Sequence, residues 1–354
     1  MPIFSSPAFE DHEALHAFHD AGAGLNCLIA IHSTALGPAG GGVRMWPYPD
    51  DQAAIDDALK LSRAMSHKNA MAGLELGGGK TVVIGDPARD KTPALFEALG
   101  RAIEQVGGRY WAAEDVGVSP ADLVYARKQT RFVAGLEGGH AAASGDPSPV
   151  TAEGVRRGIA LCVERSLGRP LSEVTVAIQG VGHVGAILAD KLAADGAKLI
   201  VCDMNQAQAA AVAARTGAQL VSTDAIFDAQ CDVFAPCALG GAISSRTLPR
   251  IKAKIVAGGA NNQLADEATG RALFAAGLTY APDFVINGGG IINVAAEIRA
   301  LERGAAYDPA WVEMKIAAMI ATLGEVLDRS AAEKRPADQI AVQMAQERIA
   351  AARK

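Results

Sequence analysis

The chain has 354 residues, of which 50% are hydrophobic and 20% charged, enough for two domains of ordinary size with substantial cores. A formal net charge of −6 argues against nucleic acid or an anionic membrane surface as the main partner. No apolar run is long enough to span a bilayer. Cys27, Cys162, Cys202, Cys231 and Cys237 are scattered, odd in number and without zinc-site spacing, so no metal is expected. They read as small core residues in a reducing compartment. The first twenty residues carry acids and histidines and lack a basic-then-apolar signal pattern, so a cytoplasmic location is expected.

In chain order, the opening holds a short helical stretch, and Leu25–His32 then reads as a strand. The segment Gly37–Asp50 carries so many glycines and prolines that irregular structure is expected. Ala54, Ala58, Leu61 and Met65 fall on one face of a following helix, with Lys68 at or just past its end. Next come Gly77, Gly78 and Gly79, then Lys80, then a β-branched strand over Thr81–Ile84. Pro93–Gln105 reads as a helix and Arg109–Ala113 as a strand that ends at Glu114 and Asp115. Ser119-Pro120-Ala121-Asp122 is a helix start. The glycine-, proline- and serine-rich stretch Gly138–Pro149 is the expected domain boundary, with residues 1–147 before it and 148–330 after it.

Glycines let a backbone or a substrate approach closely. A lysine in such small surroundings loses solvation, and a second ammonium nearby would lower its pKa further. Lys68 and Lys80 therefore suggest a base with a cationic neighbour. A phosphate-binding loop ending in Gly79-Lys80-Thr81 is disfavoured. Its first glycine would fall at Leu74, whereas Gly73 is one position too early, and the order of elements is reversed.

The second domain opens on a strand, Val174–Ile178, followed by Gln179-Gly180-Val181-Gly182-His183-Val184-Gly185. An amphipathic helix through Ile187, Leu188 and Leu192 comes next, then a strand over Lys198–Cys202 and an acid at Asp203. This is the dinucleotide fingerprint in its full context. Asp203 would accept from ribose hydroxyls and repel a 2′-phosphate. No arginine follows in Met204-Asn205-Gln206, which favours NAD over NADP. Strand-like pieces at Cys231–Ala235, Ile255–Gly258 and Tyr280–Ile286 continue a doubly wound parallel sheet. The loops Pro236–Leu239 and Gly259–Asn262 fall at strand ends, where ligands bind. Asn287 opens a glycine turn into a helix holding Asn293 and Val294, and two further helical patterns close the chain. The fold class expected is α/β, with an N-terminal α/β domain and a Rossmann-type domain.

Hydride chemistry in one domain asks the other to bind a reductant and manage its protons. Lys68, Lys80 and Asp115 suit an amino or hydroxy acid: one lysine to hold a carboxylate, one as base, and a carboxylate as proton shuttle.

Several motifs are specific in combination: Gly-Gly-Val-Arg-Met (41–45), Lys-Asn-Ala (68–70), Gly-Gly-Gly-Lys (77–80), Glu-Asp-Val-Gly (114–117), Pro-Ser-Pro-Val-Thr (147–151), Ala-Pro-Cys-Ala (235–238) and Asn-Asn-Gln-Leu (261–264). Together they resemble the leucine/phenylalanine/valine branch of the amino acid dehydrogenases, within the glutamate dehydrogenase superfamily. The resemblance runs in order from about Leu36 to about Val294. It implies oxidative deamination of an L-amino acid to its 2-oxo acid and ammonium, with NAD reduced.

By that resemblance Lys68 holds the substrate carboxylate, Lys80 activates water, and Asp115 moves protons to and from nitrogen. Asn262 positions substrate by the nicotinamide, and Gly40 and Gly41 are further substrate-binding positions. Thr151, Gly180–Gly185, Asp203, Ala238 and Asn262 serve the cofactor. The side-chain pocket corresponds to Gly40, Ala113, Ile291 and Val294. All are apolar or lack a side chain, which disfavours glutamate. Leucine is the first choice and phenylalanine the second. The resemblance further implies a homo-oligomer, from dimer to octamer, with the site in a cleft between domains and the last helices (about 331–354) packed back on the first domain. A non-catalytic NAD-binding regulator on the same fold is the alternative from another class, although it would not need both lysines and Asp115.

Overall fold

A computed structural model describes residues 3–136, 138 and 141–353. Of the boundary stretch at 138–149, Gly139 and His140 lie outside the described residues. The chain forms two compact units. The first takes 1–146, 291–312 and 345–354, and the second takes 147–290 and 313–344. A single cut after residue 330 would have placed Ile291 and Val294 in the second unit. The structure assigns them to the first. The buried Glu297 in the same segment accepts from the Gly135 and Ser144 amides, at 3.1 and 3.0 Å. Asn293 donates to the Ser144 carbonyl.

The first unit begins with strands β1 (Ala14–Asp20), β2 (Leu25–Ser33) and β3 (Ala39–Trp46). Helix α1 (Asp51–Met71), β4 (Gly77–Ile84), α2 (Pro93–Gln105), β5 (Tyr110–Glu114) and α3 (Pro120–Arg127) follow. The five strands make one sheet in the order β1-β2-β4-β3-β5. β3 lies between β4 and β5 and runs parallel to both, while β1, β2 and β4 pair antiparallel. The short helical stretch expected near the start of the chain is confined to a 3-10 turn at Ile3–Ser5 and is followed by β1. Its residues pair one to one with β2, from Ala14 opposite Ile31 to Asp20 opposite Leu25. Cross-strand pairing with its long-range partner decides this segment.

The glycine-rich segments also depart from expectation. Residues 39–46 form a strand near the middle of the sheet, and Gly77–Gly79 open β4 instead of forming a loop. The space beside these glycines is filled by the protein, not reserved for a substrate. A Cβ on Gly78 would lie 2.1 Å from the Ser66 amide nitrogen, and one on Gly41 would lie 1.8 Å from the Gly79 carbonyl oxygen. Helix α1 therefore packs on β4 at very short range. That explains its buried face: Ala58, Ser62, Ser66 and Asn69 are buried, while Leu61 and Met65 are only half-buried. Small side chains suit the close approach. The core on the other side is larger, with Leu95, Phe96, Leu99 and Ile103 of α2 among Ile29, Ile31, Val43 and Met45. Thr92 caps α2 on the Leu95 amide, and Ser119 and Asp122 form a reciprocal capping box on α3.

The second unit begins with α4 (Ser148–Leu167), β6 (Thr175–Gln179), α5 (His183–Ala194), β7 (Lys198–Cys202), α6 (Gln206–Thr216) and β8 (Gln219–Leu220). It continues with β9 (Val233–Pro236), β10 (Ile255–Val256), α7 (Glu267–Ala275), β11 (Thr279–Tyr280) and α8 (Asp283–Ile286). Helices α9 (Gly289–Arg303), α10 (Pro309–Glu333) and α11 (Ala337–Ala352) complete the chain. The six strands are all parallel, in the order β11-β10-β9-β6-β7-β8. This is the doubly wound arrangement that the strand–helix alternation implies. The strand expected over Tyr280–Ile286 stops at Tyr280. Pro282 lacks the amide to continue a ladder, and the Ile286 and Asn287 amides turn back to the carbonyls of Pro282 and Asp283. Among the described residues no helix is long and apolar enough to cross a membrane.

Candidate active site

In the first unit, Lys80 and Asp115 meet. Lys80 Nζ donates to Asp115 Oδ2 at 2.7 Å, and Lys80 is only 4% exposed. Lys80 stands on β4 and Asp115 just beyond β5, so the contact reaches across β3. Gly42 is the β3 residue beneath it. A Cβ there would lie 2.7 Å from Asp115 Cβ and 3.2 Å from Lys80 Nζ. Burial pushes the Lys80 ammonium below its ordinary range, against the opposing pull of Asp115. Burial alone would raise the Asp115 carboxyl, but Lys80 and Arg44 outweigh it and hold it below the usual carboxylate range. The arrangement supplies a desolvated amine and an ionised carboxylate in contact, a pair chemically able to accept and return protons.

Lys68 stands in the last turn of α1 and is half-buried. The second cation acting most strongly on Lys80 is Arg44, not Lys68. Arg44 was missed as a site residue even though it lies inside the Gly41–Met45 motif. Reading residues 37–50 as irregular hid the period-two alternation that puts Gly42 and Arg44 on one face of β3 and Val43 and Met45 in the core. Asn69 was also missed. It is fully buried, and its Nδ2 donates to the carbonyls of Gly77 and Gly40, at 2.6 and 3.3 Å. It ties the turn carrying Lys68 to both glycine strands. Tyr110 adds a hydroxyl bond to the Gly41 carbonyl at 3.1 Å.

The four expected pocket residues all belong to the first unit. Ala113 and Val294 converge at Gly135, where a Cβ would lie 3.7 Å from a methyl of each. Gly40 faces Leu76 and Asn69, and a Cβ there would lie 3.2 Å from Leu76 Cδ1.

In the second unit, the Gly180–Gly185 segment joins β6 to α5 as expected. Gly180 has φ +92°, a conformation that glycine tolerates, and packs on Ala238. A Cβ on Gly185 would collide with the Gly180 carbonyl, whereas Gly182 faces open space. Helix α5 starts at His183 with no side-chain cap, leaving its first amides and the positive end of its dipole to an incoming anion. Asp203 Oδ2 accepts from the Val181 amide and Oδ1 from the Asn205 amide, each at 2.8 Å. Gly180, Gly182, Asp203 and Ala238 line a cavity of about 620 Å³ with Leu239 and Arg246, a size suited to a cofactor. Asn262 lies after β10 in the left-handed region, φ +52°, and its carbonyl accepts from Gly241 at 2.7 Å. Non-glycine residues held in this way cluster at ligand sites. Thr151 is buried in the first turns of α4, and its hydroxyl donates to Pro147. The open glycine, the uncapped helix and the tethered carboxylate fit a dinucleotide.

Two family models match the chain: "Glu/Leu/Phe/Val dehydrogenase, dimerisation domain" over residues 14–132 and "Glutamate/Leucine/Phenylalanine/Valine dehydrogenase" over residues 201–354. The chain belongs to this family of amino acid dehydrogenases. Among its relatives, a leucine dehydrogenase of Thermoactinomyces intermedius is 46% identical over 100% of this chain and 95% of that one. A phenylalanine dehydrogenase of Bacillus thermotolerans is 41% identical over 83% of this chain and 78% of that one. Among solved structures, the L-tryptophan dehydrogenase of Nostoc punctiforme superposes with a TM-score of 0.85 at 35% identity, covering 97% of each chain. The chain is thus an oxidoreductase, and its membership of this dehydrogenase family supports a nicotinamide cofactor.

Proposed function

We propose that the protein catalyses NAD-dependent oxidative deamination of an apolar L-amino acid of the leucine type to its 2-oxo acid and ammonium, and the reverse reductive amination. The observation that carries this reading is the buried Lys80–Asp115 pair over Gly42. Lys68 holds the substrate carboxylate. Asp115 takes a proton from the substrate ammonium, so that the free amine can give up hydride from its α-carbon. A bound nicotinamide would supply the hydride acceptor for that step. Lys80, with its lowered pKa, deprotonates the water that adds to the resulting iminium carbon, and Asp115 returns a proton to the departing nitrogen.

Thr151, Gly180–Gly185, Asp203, Ala238 and Asn262 hold the cofactor. The tethered Asp203 carboxylate supports NAD over NADP, since a 2′-phosphate would meet its charge. Gly40, Ala113, Ile291 and Val294 serve the substrate side chain, with Gly41 a further substrate-binding position through its backbone, and none of the four offers a side-chain partner to a second carboxylate. The missing side chain at Gly40 supports a second reading, an aromatic substrate of the phenylalanine type, which the phenylalanine dehydrogenase relatives also favour. A homo-oligomer in solution is supported by the description of the first family model as a dimerisation domain.

The test is NADH oxidation with ammonium and a panel of branched and aromatic 2-oxo acids, repeated with NADPH. Turnover fastest with branched acids and NADH is expected. Lys80→Ala should lose about 10²- to 10⁴-fold in kcat, the usual contribution of a general base, while still quenching or shifting NADH fluorescence. No turnover with any branched or aromatic acid would sink the reading.

A further inference from the structure

Arg44 joins the Lys80–Asp115 pair to helix α1. Its Nε donates to Asp115 Oδ2 at 3.0 Å, the oxygen that also accepts from Lys80. Its Nη1 donates to Asp57 Oδ2 of α1 at 3.1 Å, and that oxygen takes the Tyr48 hydroxyl as well. The charges alternate inward from the surface: Asp57, Arg44, Asp115, Lys80. Asp56 and Lys60 of α1 line the cavity at the outer end, together with Arg44 and Tyr48.

We propose that Arg44 is the positioning residue for Asp115, fixing the plane of its carboxylate so that Oδ1 is the oxygen presented to the substrate nitrogen. Both donors converge on Oδ2, and Oδ1 takes neither. Lys80 alone could not do this, because an ammonium on four methylenes is a point donor that sets no plane. A guanidinium is planar and rigid, and with its Nη1 anchored on Asp57 its single Nε–H bond reaches Oδ2 from a fixed direction, a second one beside that of Lys80. The inference rests on the assignment of Asp115 as proton carrier.

Arg44 also acts on both partners through its charge. It draws the Asp115 carboxyl down and disfavours the ammonium of Lys80. Replacing it by a neutral residue should therefore move both groups the same way, to higher pH.

Arg44→Gln tests this. The expected result is a kcat about 10- to 100-fold lower, in line with the cost of misplacing a catalytic group. The 2-oxo acid KM should change less than about threefold, because Lys68 binds that carboxylate. Both limbs of the pH profile of kcat/KM should move upward. Arg44→Lys, which keeps the charge but not the rigid plane, should return the limbs toward wild type while kcat stays low. Asp57→Asn, which loosens only the outer anchor, should lower kcat less. An unmoved profile in folded Arg44→Gln overturns the inference, as does a raised KM with unchanged kcat. Should Arg44→Gln fail to fold, wild-type kcat in both Arg44→Lys and Asp57→Asn overturns it. Wild-type kcat in Asp115→Asn removes the underlying assignment. An inactive Asp115→Asn beside an unmoved Arg44→Gln removes only the role of Arg44.

Discussion

Lys80 reaches Asp115 by crossing β3 at Gly42, and the 2.7 Å bond between them exists because Gly42 has no side chain. A methyl group there would sit 2.7 Å from Asp115 Cβ and 2.8 Å from the Glu114 carbonyl oxygen, both of them close to the backbone and unable to swing aside. Gly42→Ala should therefore fold and bind dinucleotide but lose roughly 10²-fold or more in kcat, the scale of a misplacement near 1 Å. Steady-state kinetics beside a thermal melt would check it, and wild-type kcat would show that the pair tolerates displacement.

The carboxylate of Asp115 opposes the effect of burial on Lys80, favouring its charged form. Removing that carboxylate leaves desolvation and the Arg44 charge unopposed by it, so the Lys80 ammonium should release its proton at lower pH. In Asp115→Asn, the residual rate should rise with pH through a lower midpoint than in the wild type, the reverse of the shift expected for Arg44→Gln. The pH profile of kcat/KM for the deamination direction reads this out, and a midpoint moved upward would contradict it.

Three histidines lie together in the first unit, with ring centroids 4.9 Å apart for His12 and His32 and 6.3 Å for His32 and His67. His32 bonds Ser66 Oγ at 2.7 Å, two residues before Lys68. Burial, with His12 and His67 nearby, pushes His32 down to about 3, and burial with Arg63 pushes His67 down to about 4. Both are lowered from 6.5. The native state thus keeps them neutral where the unfolded chain binds protons. Their contribution is fully present above the unfolded value near 6.5 and is lost as pH falls from there toward 4. Each costs up to about 1.4 kcal/mol per pH unit in that window. Urea unfolding between pH 7 and pH 5 should show this fall, and His32→Asn should flatten it by about one proton's share. An equal slope in the variant would contradict the account.

Gly40 gives the specificity prediction. A leucine there must share space with Leu76, whose Cδ1 would lie 3.2 Å from the new Cβ. The substrate pocket should shrink, and Gly40→Leu should shift kcat/KM from aromatic toward aliphatic substrates by about 10-fold or more, since a few methylene contacts are worth about 1–3 kcal/mol. An unchanged ratio would place Gly40 outside the pocket.

The sequence by itself determined the second unit almost element by element. Strand, glycine turn, helix, strand and acid are local signals, and the parallel sheet follows from their alternation. It also determined α2 from Pro93 onward and the α3 cap, where Ser119 and Asp122 speak to each other across three residues. It named Lys80 and Asp115 but not their contact. Only the tertiary structure decided that residues 39–46 and 77–79 are strands, because glycine's low strand propensity is overridden where sheet and helix backbones approach too closely for any Cβ. The same packing decided Arg44. Its role depends on Asp57, thirteen residues away, and on Asp115, seventy-one residues away, and no pattern along the chain spans those distances.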